Sequence, residues 1–223
     1  AENLDEFWEN LVNGKDCIHE IPDERQKDLD DYLPHLYKIK LDDGGRRSKK
    51  RYLNAGYLNH IDKFDPRFFK LSPREASLMD PCQRVFLETA YHVLEDAGYA
   101  GDRAQKNEIG IYVGYSDDVK LNYFQMVSQL EPESIPTAIA GNLSSIVPSR
   151  ISYFMDLKGP ALLVDTACSS SLVAVHLACQ ALHANDCEIA IAGGVRINLM
   201  PIAYAARIGI ESSDGRTKAF DDD

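Results

Sequence analysis

The hydrophobic residues of this chain fall into short continuous runs and longer segments with helical spacing, a combination that favours an α/β fold. Apolar runs at residues 108–114, 161–166 and 188–195 predict buried strands. Residues 169–184, between the last two runs, carry apolar side chains on every side of a predicted helix. Such a helix must be covered all round, and a position between two sheets would meet that requirement.

Capping residues mark where other helices begin. Ser72-Pro73-Arg74-Glu75 combines an N-cap serine, a proline at the first helical position and a glutamate at the third. Asp80-Pro81-Cys82-Gln83 repeats this arrangement before a helix that Gly98 should end. Asn3 is expected to cap a short amphipathic helix over residues 4–13.

The remaining segments have weaker patterns. Ser116 should cap a helix of about a dozen residues, and residues 136–154 should be mostly helical with a break or kink at Pro148. Residues 22–60 are polar and rich in Asp, Lys and Gly. They are expected to form an irregular surface excursion within one domain.

Composition narrows the class of protein. The 223 residues, 44% hydrophobic and 26% charged, predict one soluble domain with a substantial core. Acidic residues outnumber basic ones by 35 to 24, and the resulting net charge of -11 argues against a nucleic-acid partner. No apolar stretch reaches the ~18 residues of a membrane span, and the acidic N-terminus is unlike a signal peptide. Five cysteines without C-x-x-C spacing favour a reduced, cytoplasmic setting.

Cys168 is the candidate nucleophile, because it lies where an apolar run meets a predicted helix. Free N–H groups and the positive end of the helix dipole favour thiolate at that position. The small neighbours Ala167 and Ser169 would let a carbonyl approach, and the Cys168 N–H could donate to a developing oxyanion. A Gly-x-Cys-x-Gly elbow is absent, which argues against an ordinary acyl hydrolase. The other cysteines are interpreted as small buried hydrophobes: Cys17, Cys82, Cys179 and Cys187.

Two other patterns are interpreted structurally. His176, Cys179 and His183 share the predicted helix, but its first and last histidines would stand about 10 Å apart along the axis. We therefore expect buried histidines and no metal site. The glycines at 110–114 and 193–194 lack phosphate-loop spacing and indicate close backbone packing.

The segment from Val164 to Leu172 resembles the active-site motif of β-ketoacyl synthases. Further landmarks resemble the ketosynthase domains of modular polyketide synthases and hybrid polyketide/nonribosomal-peptide megasynthases, in the order of that family. They are residues 72–76, 79–84 and 94–99, Gly141-Asn142, residues 150–153, Gly159-Pro160, residues 192–195, Asp214-Gly215-Arg216 and Phe220-Asp221.

The resemblance implies an α/β, thiolase-like fold with αβαβα layers, in which a central helix bearing the nucleophile lies between two sheets. Residues 1–223 would be the N-terminal part of one ketosynthase domain, with the first strand and the C-terminal half outside the chain. That half would hold the two catalytic histidines. The six histidines present lie in no matching motif.

The implied activity is decarboxylative Claisen condensation of an acyl group on Cys168 with malonyl-carrier protein. No cofactor would be bound directly, because the substrates are carried on the phosphopantetheine of acyl carrier proteins. The expected partners are carrier domains, the rest of the megasynthase and a second copy, paired through residues 161–166 and the segment from Ile135 onward. An acidic carrier protein would be attracted to the basic run at residues 46–51.

Three alternatives stay open. A thiolase or type III synthase acting on coenzyme A esters would share the fold. A non-elongating ketosynthase-like domain would only transfer acyl groups. A catalytically idle domain would serve as a docking or dimerisation scaffold.

Overall fold

The computed structural model describes residues 1, 3–36, 52–105, 107–116 and 122–202. The chain divides into two compact units, one made of residues 1–60 with 200–223 and the other of residues 61–199. In the described residues the helices are α1 (Leu4–Val12), α2 (Asp23–Leu36), α3 (Pro73–Leu78), α4 (Pro81–Asp96), α5 (Asp102–Gln105), α6 (Tyr123–Leu130), α7 (Ile135–Asn142), α8 (Ile146–Met155) and α9 (Ser170–Ala184). The strands are β1 (Ile109–Gly114), β2 (Ala161–Val164) and β3 (Ile189–Gly194).

The second unit is built on a parallel sheet with strand order β2-β1-β3. Every residue of β1 is buried, as the continuous apolar run predicts. Successive strand side chains point to opposite faces, so Ile111 and Val113 pack with α4 and α8 while Tyr112 packs with α9. The sheet is thus covered by helices on both faces.

Among the described residues, the prediction of buried strands is wrong for β2 and for β3, in which only Ile191 is buried. Strand β2 lies at the edge of the described sheet, where it pairs with β1 alone. Only Val164 is buried in it, and Leu162 keeps 46% of its surface exposed. The apolar run at residues 161–166 therefore forms an edge strand of the described sheet and not a central strand.

Helix α9 is not covered all round within the described residues. Its buried face, which contains Ala174, Ala178 and Ala181, packs against the sheet. Leu172, on the opposite side, is 77% exposed. The described residues supply one sheet to this helix, and its cover by a second sheet stays a prediction.

The helix starts predicted at Ser72, Asp80 and Asn3 are confirmed. The Ser72 hydroxyl accepts from the Glu75 N–H at 3.1 Å, and the Glu75 carboxylate accepts from the Ser72 N–H at 3.0 Å. Hydrogen bonds to the Glu75 carboxylate from the Ser72 hydroxyl and from the Ser72 N–H stabilise the ionised acid and lower the pKa of Glu75. Asp80 caps α4 through the Cys82 N–H, and Asn3 caps α1 through the Glu6 N–H.

Two predictions about helix positions need correction. Residues 23–36 form α2 instead of irregular chain, because Leu29 and Leu33 lie four positions apart and bury together in the core of the first unit. Residues 37–51 of that predicted excursion lie outside the described residues. Ser116 does not cap α6, which begins at Tyr123 with Asn122 as its cap, and residues 117–121 of the predicted helix lie outside the described residues.

The helical segment from Ile135 onward is interrupted at residues 143–145 rather than at Pro148. Pro148 occupies the third position of α8. The first N–H groups of a helix have no partner within it, so a proline there removes no hydrogen bond. In the described part of the chain, no helix has the length and apolar character needed to cross a membrane.

Candidate active site

Cys168 lies at the carboxyl edge of the parallel sheet, in a 3₁₀ turn over Ala167–Ser169 that joins the end of β2 to the start of α9. Its side chain is exposed. The predicted position between strand and helix is confirmed, although α9 begins at Ser170 rather than at residue 169. No hydrogen bond is found for the Cys168 N–H within the described part of the chain. This donor therefore remains available next to the thiol.

The turn before Cys168 has an unusual backbone. Ala167 has a φ of +53°, in the left-handed region that residues with a Cβ seldom adopt. The Asp165 carboxylate accepts from the Ala167 N–H at 3.0 Å. The hydroxyl of Ser170, a buried side chain, accepts from the Thr166 N–H at 2.9 Å and donates to the Ala167 carbonyl at 2.7 Å. Side chains on both sides of the turn thus fix its backbone.

The ends of neighbouring strands reach the same turn. Ser116, which follows β1, donates its hydroxyl to the second Asp165 oxygen at 3.3 Å. Arg196, which follows β3, donates to the Ser116 carbonyl at 2.6 Å. The sequence analysis assigned neither residue to this site. The available signal was that the carboxyl ends of parallel strands share one edge of the sheet.

Glycines allow the helix to approach this edge. A Cβ added at Gly114 would lie 2.6 Å from the Ser171 backbone nitrogen, and one at Gly194 would lie 2.8 Å from the Ser171 hydroxyl. The prediction that these glycines mark close packing is confirmed. The start of α9 can therefore lie directly on the ends of β1 and β3.

The other cysteines divide into two groups. Cys82 and Cys187 are buried, as predicted, but Cys17 and Cys179 are exposed, so the prediction is wrong for these two. Cys179 is exposed because it lies on the side of α9 that the sheet does not cover. Burial, with the Asp80 carboxylate as a second cause, raises the pKa of Cys82 to about 12. Cys82 is therefore a neutral thiol near pH 7.

The structure offers little support for other chemistry. His176 and His183 are exposed on α9 rather than buried, again because the described residues cover one face of this helix. Among the residues that the structure describes, no group of three or more His, Cys, Asp or Glu side chains could hold a metal ion. The basic run at residues 46–51 lies outside the described residues.

The parallel sheet and the cysteine at a strand-to-helix turn agree with the α/β, thiolase-like fold predicted from the sequence. Residues 1–223 match the family model described as the N-terminal domain of β-ketoacyl synthase. The chain belongs to the β-ketoacyl synthase family.

Known relatives place it among the ketosynthase domains of polyketide synthases. It is 41% identical over 229 residues to polyketide synthase PksM of Bacillus subtilis (strain 168), covering 100% of this chain and 5% of that protein. It is 40% identical over 223 residues to polyketide synthase ThaG of Burkholderia thailandensis, covering 99% of this chain and 4% of that protein. The chain thus spans a small part of these multidomain proteins.

Solved structures agree with this assignment. The ketosynthase from module 6 of the bacillaene synthase of Bacillus subtilis 168 matches with a TM-score of 0.68 and 38% identity, over 92% of this chain and 31% of that one. The oxazolomycin ketosynthase domain OzmH KS7 of Streptomyces albus JA3453 matches with a TM-score of 0.68 and 35% identity, over 90% and 34%. The predicted family and thiolase-like fold are confirmed. The chain spans about a third of these solved chains.

Proposed function

We propose that the polypeptide containing this chain is an elongating, carrier-protein-dependent β-ketoacyl synthase with Cys168 as its nucleophile. The observation that carries the proposal is the exposed Cys168 thiol in the turn before α9, next to its own N–H, which has no hydrogen-bond partner among the described residues. A thiol and an N–H donor at one residue are what nucleophilic attack on a thioester carbonyl requires.

In the first half-reaction, the Cys168 thiolate attacks the carbonyl of an acyl group held on the phosphopantetheine of a carrier protein. The new C–S bond forms as the carrier thiolate leaves and takes up a proton. The Cys168 N–H would donate to the carbonyl oxygen while it carries negative charge. The proposed enzyme needs no directly bound cofactor.

In the second half-reaction, a malonyl group on another carrier protein loses carbon dioxide. The resulting carbanion attacks the Cys168 thioester, so that a C–C bond forms and the C–S bond to Cys168 breaks. The product is a β-ketoacyl group two carbons longer, held on the second carrier, and Cys168 returns as a thiol. We place this chemistry in the cytoplasm, within a megasynthase.

A two-step assay of the full-length polypeptide tests this function. Incubation with an acyl-carrier protein should add one acyl group to Cys168, detected by intact mass and peptide mapping. Adding malonyl-carrier protein should then release carbon dioxide and give a β-ketoacyl-carrier product. Acylation without extension would contradict elongation and support a domain that only transfers acyl groups. The absence of acylation would support an idle scaffold.

We also propose that the parent protein is a homodimer paired through β2 and the segment from Ile135 onward. An unpaired apolar strand edge favours aggregation, and pairing with a second copy removes that edge. In support, β2 pairs only with β1 among the described residues, and Leu162 is 46% exposed. A further proposal is that the basic run at residues 46–51 contacts acidic carrier proteins.

Sedimentation equilibrium tests the dimer. The full-length protein should be dimeric at micromolar concentration, and Leu162→Lys should weaken the dimer because a charge enters the apolar edge. Val93→Lys is a matched control, since Val93 is also 46% exposed but lies on α4. A wild-type monomer, or equal weakening by both variants, would contradict this interface.

A further inference from the structure

Ala167, the residue before the nucleophile, has a backbone conformation that its Cβ disfavours. Ala167 has a φ of +53°, and a Cβ in the left-handed region crowds the neighbouring carbonyl. An alanine keeps such a backbone only where the surroundings stabilise it. Because the Ala167–Cys168 peptide plane contains the Cys168 N–H, the torsions of Ala167 set the direction in which that N–H points.

Side chains hold both polar backbone groups of Ala167. The Asp165 carboxylate accepts from its N–H at 3.0 Å, and the Ser170 hydroxyl donates to its carbonyl at 2.7 Å. The same Ser170 hydroxyl accepts from the Thr166 N–H at 2.9 Å. One hydroxyl therefore bonds both the Asp165–Thr166 peptide group and the Ala167–Cys168 peptide group. Ser170 is only 5% exposed, which shields these bonds from competition by water.

Asp165 is in turn held by the ends of the sheet. Its second oxygen accepts from the Ser116 hydroxyl at 3.3 Å, and Arg196 donates to the Ser116 carbonyl at 2.6 Å. The turn that carries Cys168 is therefore tied to the segments that follow β1 and β3. Along the chain, Ser116 is 49 residues from Asp165, and Arg196 is 80 residues from Ser116.

We infer that Ser170 and Asp165 are positioning residues: they keep Ala167 left-handed and so aim the Cys168 N–H at the thioester oxygen during acyl transfer. The inference rests on the proposed acylation of Cys168 but not on the later condensation. Without either side chain, Ala167 should relax toward negative φ. The N–H would then rotate away from the oxygen of the tetrahedral intermediate, while the thiol would remain present and exposed.

Two reactions of the same thiol separate this role from a general structural one. Acyl transfer from an N-acetylcysteamine thioester passes through an oxyanion, and the N-acetylcysteamine thiol leaves with a proton. Alkylation by iodoacetamide forms one C–S bond and releases iodide without an oxyanion. Loss of the positioning residues should therefore slow acylation and leave alkylation nearly unchanged.

The test measures both rates at Cys168 in the full-length polypeptide, by mass spectrometry of the peptide that contains it. Ser170→Ala should slow acylation roughly ten- to a hundredfold, the cost of a misdirected oxyanion donor, with a change of no more than about threefold in alkylation. Ser171→Ala is the matched control, because its hydroxyl makes no hydrogen bond in the described part of the chain. Ser171→Ala should acylate at the wild-type rate.

The Asp165 pair keeps the test decisive if Ser170→Ala does not fold. Asp165→Asn retains an oxygen that can accept from the Ala167 N–H, whereas Asp165→Ala does not. The asparagine variant should therefore be acylated several-fold faster than the alanine variant. In an Ala167→Gly background the loss caused by Ser170→Ala should shrink, because glycine adopts a positive φ without steric cost.

The outcomes distinguish the two proposals. Equal acylation rates for wild type, Ser170→Ala and Asp165→Ala would overturn the positioning role while leaving the enzyme's function intact. Equal losses in acylation and alkylation would also overturn it, since they would show general disruption. Wild-type acylation without chain extension would overturn elongation alone. A wild-type protein that is never acylated would overturn both.

Discussion

Cys168→Ala should abolish covalent acylation of the full-length polypeptide. Loss of a nucleophile from an acyl-transfer site costs on the order of a millionfold in turnover, which places the variant below detection. Because Cys168 is exposed and makes no hydrogen bond through its thiol in the described residues, the free energy of unfolding should change by less than about 0.5 kcal/mol. Intact mass after incubation with an acyl thioester, together with a thermal unfolding curve, measures both effects.

Cys179→Ala is the matched control, since Cys179 is an exposed cysteine on the helix that follows Cys168. This variant should acylate at the wild-type rate. Cys82, with its pKa near 12, should stay unlabelled at neutral pH. Acylation of Cys179 or Cys187 as fast as Cys168 would show that position at the turn does not select the nucleophile.

Local signals in the sequence were sufficient to place most of the elements that frame this site. The capping pattern at Ser72 and Glu75 depends on side chains three positions apart, and both of its hydrogen bonds form. Strand β1 follows from its apolar run because helices cover both of its faces. In these cases the same residues determine the local conformation and the burial.

Other features depend on context that a single segment does not contain. Residues 23–36 are so polar that their pattern did not predict the helix they form. Among its described side chains, this helix is buried only through Leu29 and Leu33, which contact residues far along the chain. The effect of Pro148 depends on its position in the helix, which in turn depends on where α8 begins. Because the helical segment is interrupted at residues 143–145, α8 begins at Ile146, and Pro148 in its first turn removes no helical hydrogen bond.

The active site shows the same division. Cys168 was identifiable because an apolar strand leads directly into an apolar helix. The left-handed Ala167 and the bonds of Ser170 were not, because they depend on backbone torsions that no periodicity reports. Ser116 and Arg196 reach the site only through the pairing of strands that are distant in sequence.

Gly114→Ala should disrupt the site more than any other single added methyl group at this edge of the sheet. Its Cβ would lie 2.6 Å from the Ser171 nitrogen and 2.7 Å from the Ser170 carbonyl carbon. These are backbone atoms that cannot rotate away, so the start of α9 must shift. We expect a loss of about 1–3 kcal/mol in the free energy of unfolding, the usual cost of overpacking. Urea denaturation of the full-length protein measures it.

Acylation should fall further than this stability loss accounts for, because the shift displaces Ser170 and with it the turn that holds Cys168. Gly193→Ala is the matched control: it adds the same methyl group near the end of the adjacent strand, where the nearest contact is the Phe86 ring at 3.4 Å. A side chain can adjust at that distance, so stability and acylation should stay near wild type. If Gly114→Ala retained full acylation, the close approach of α9 to β1 would not be what positions the nucleophile.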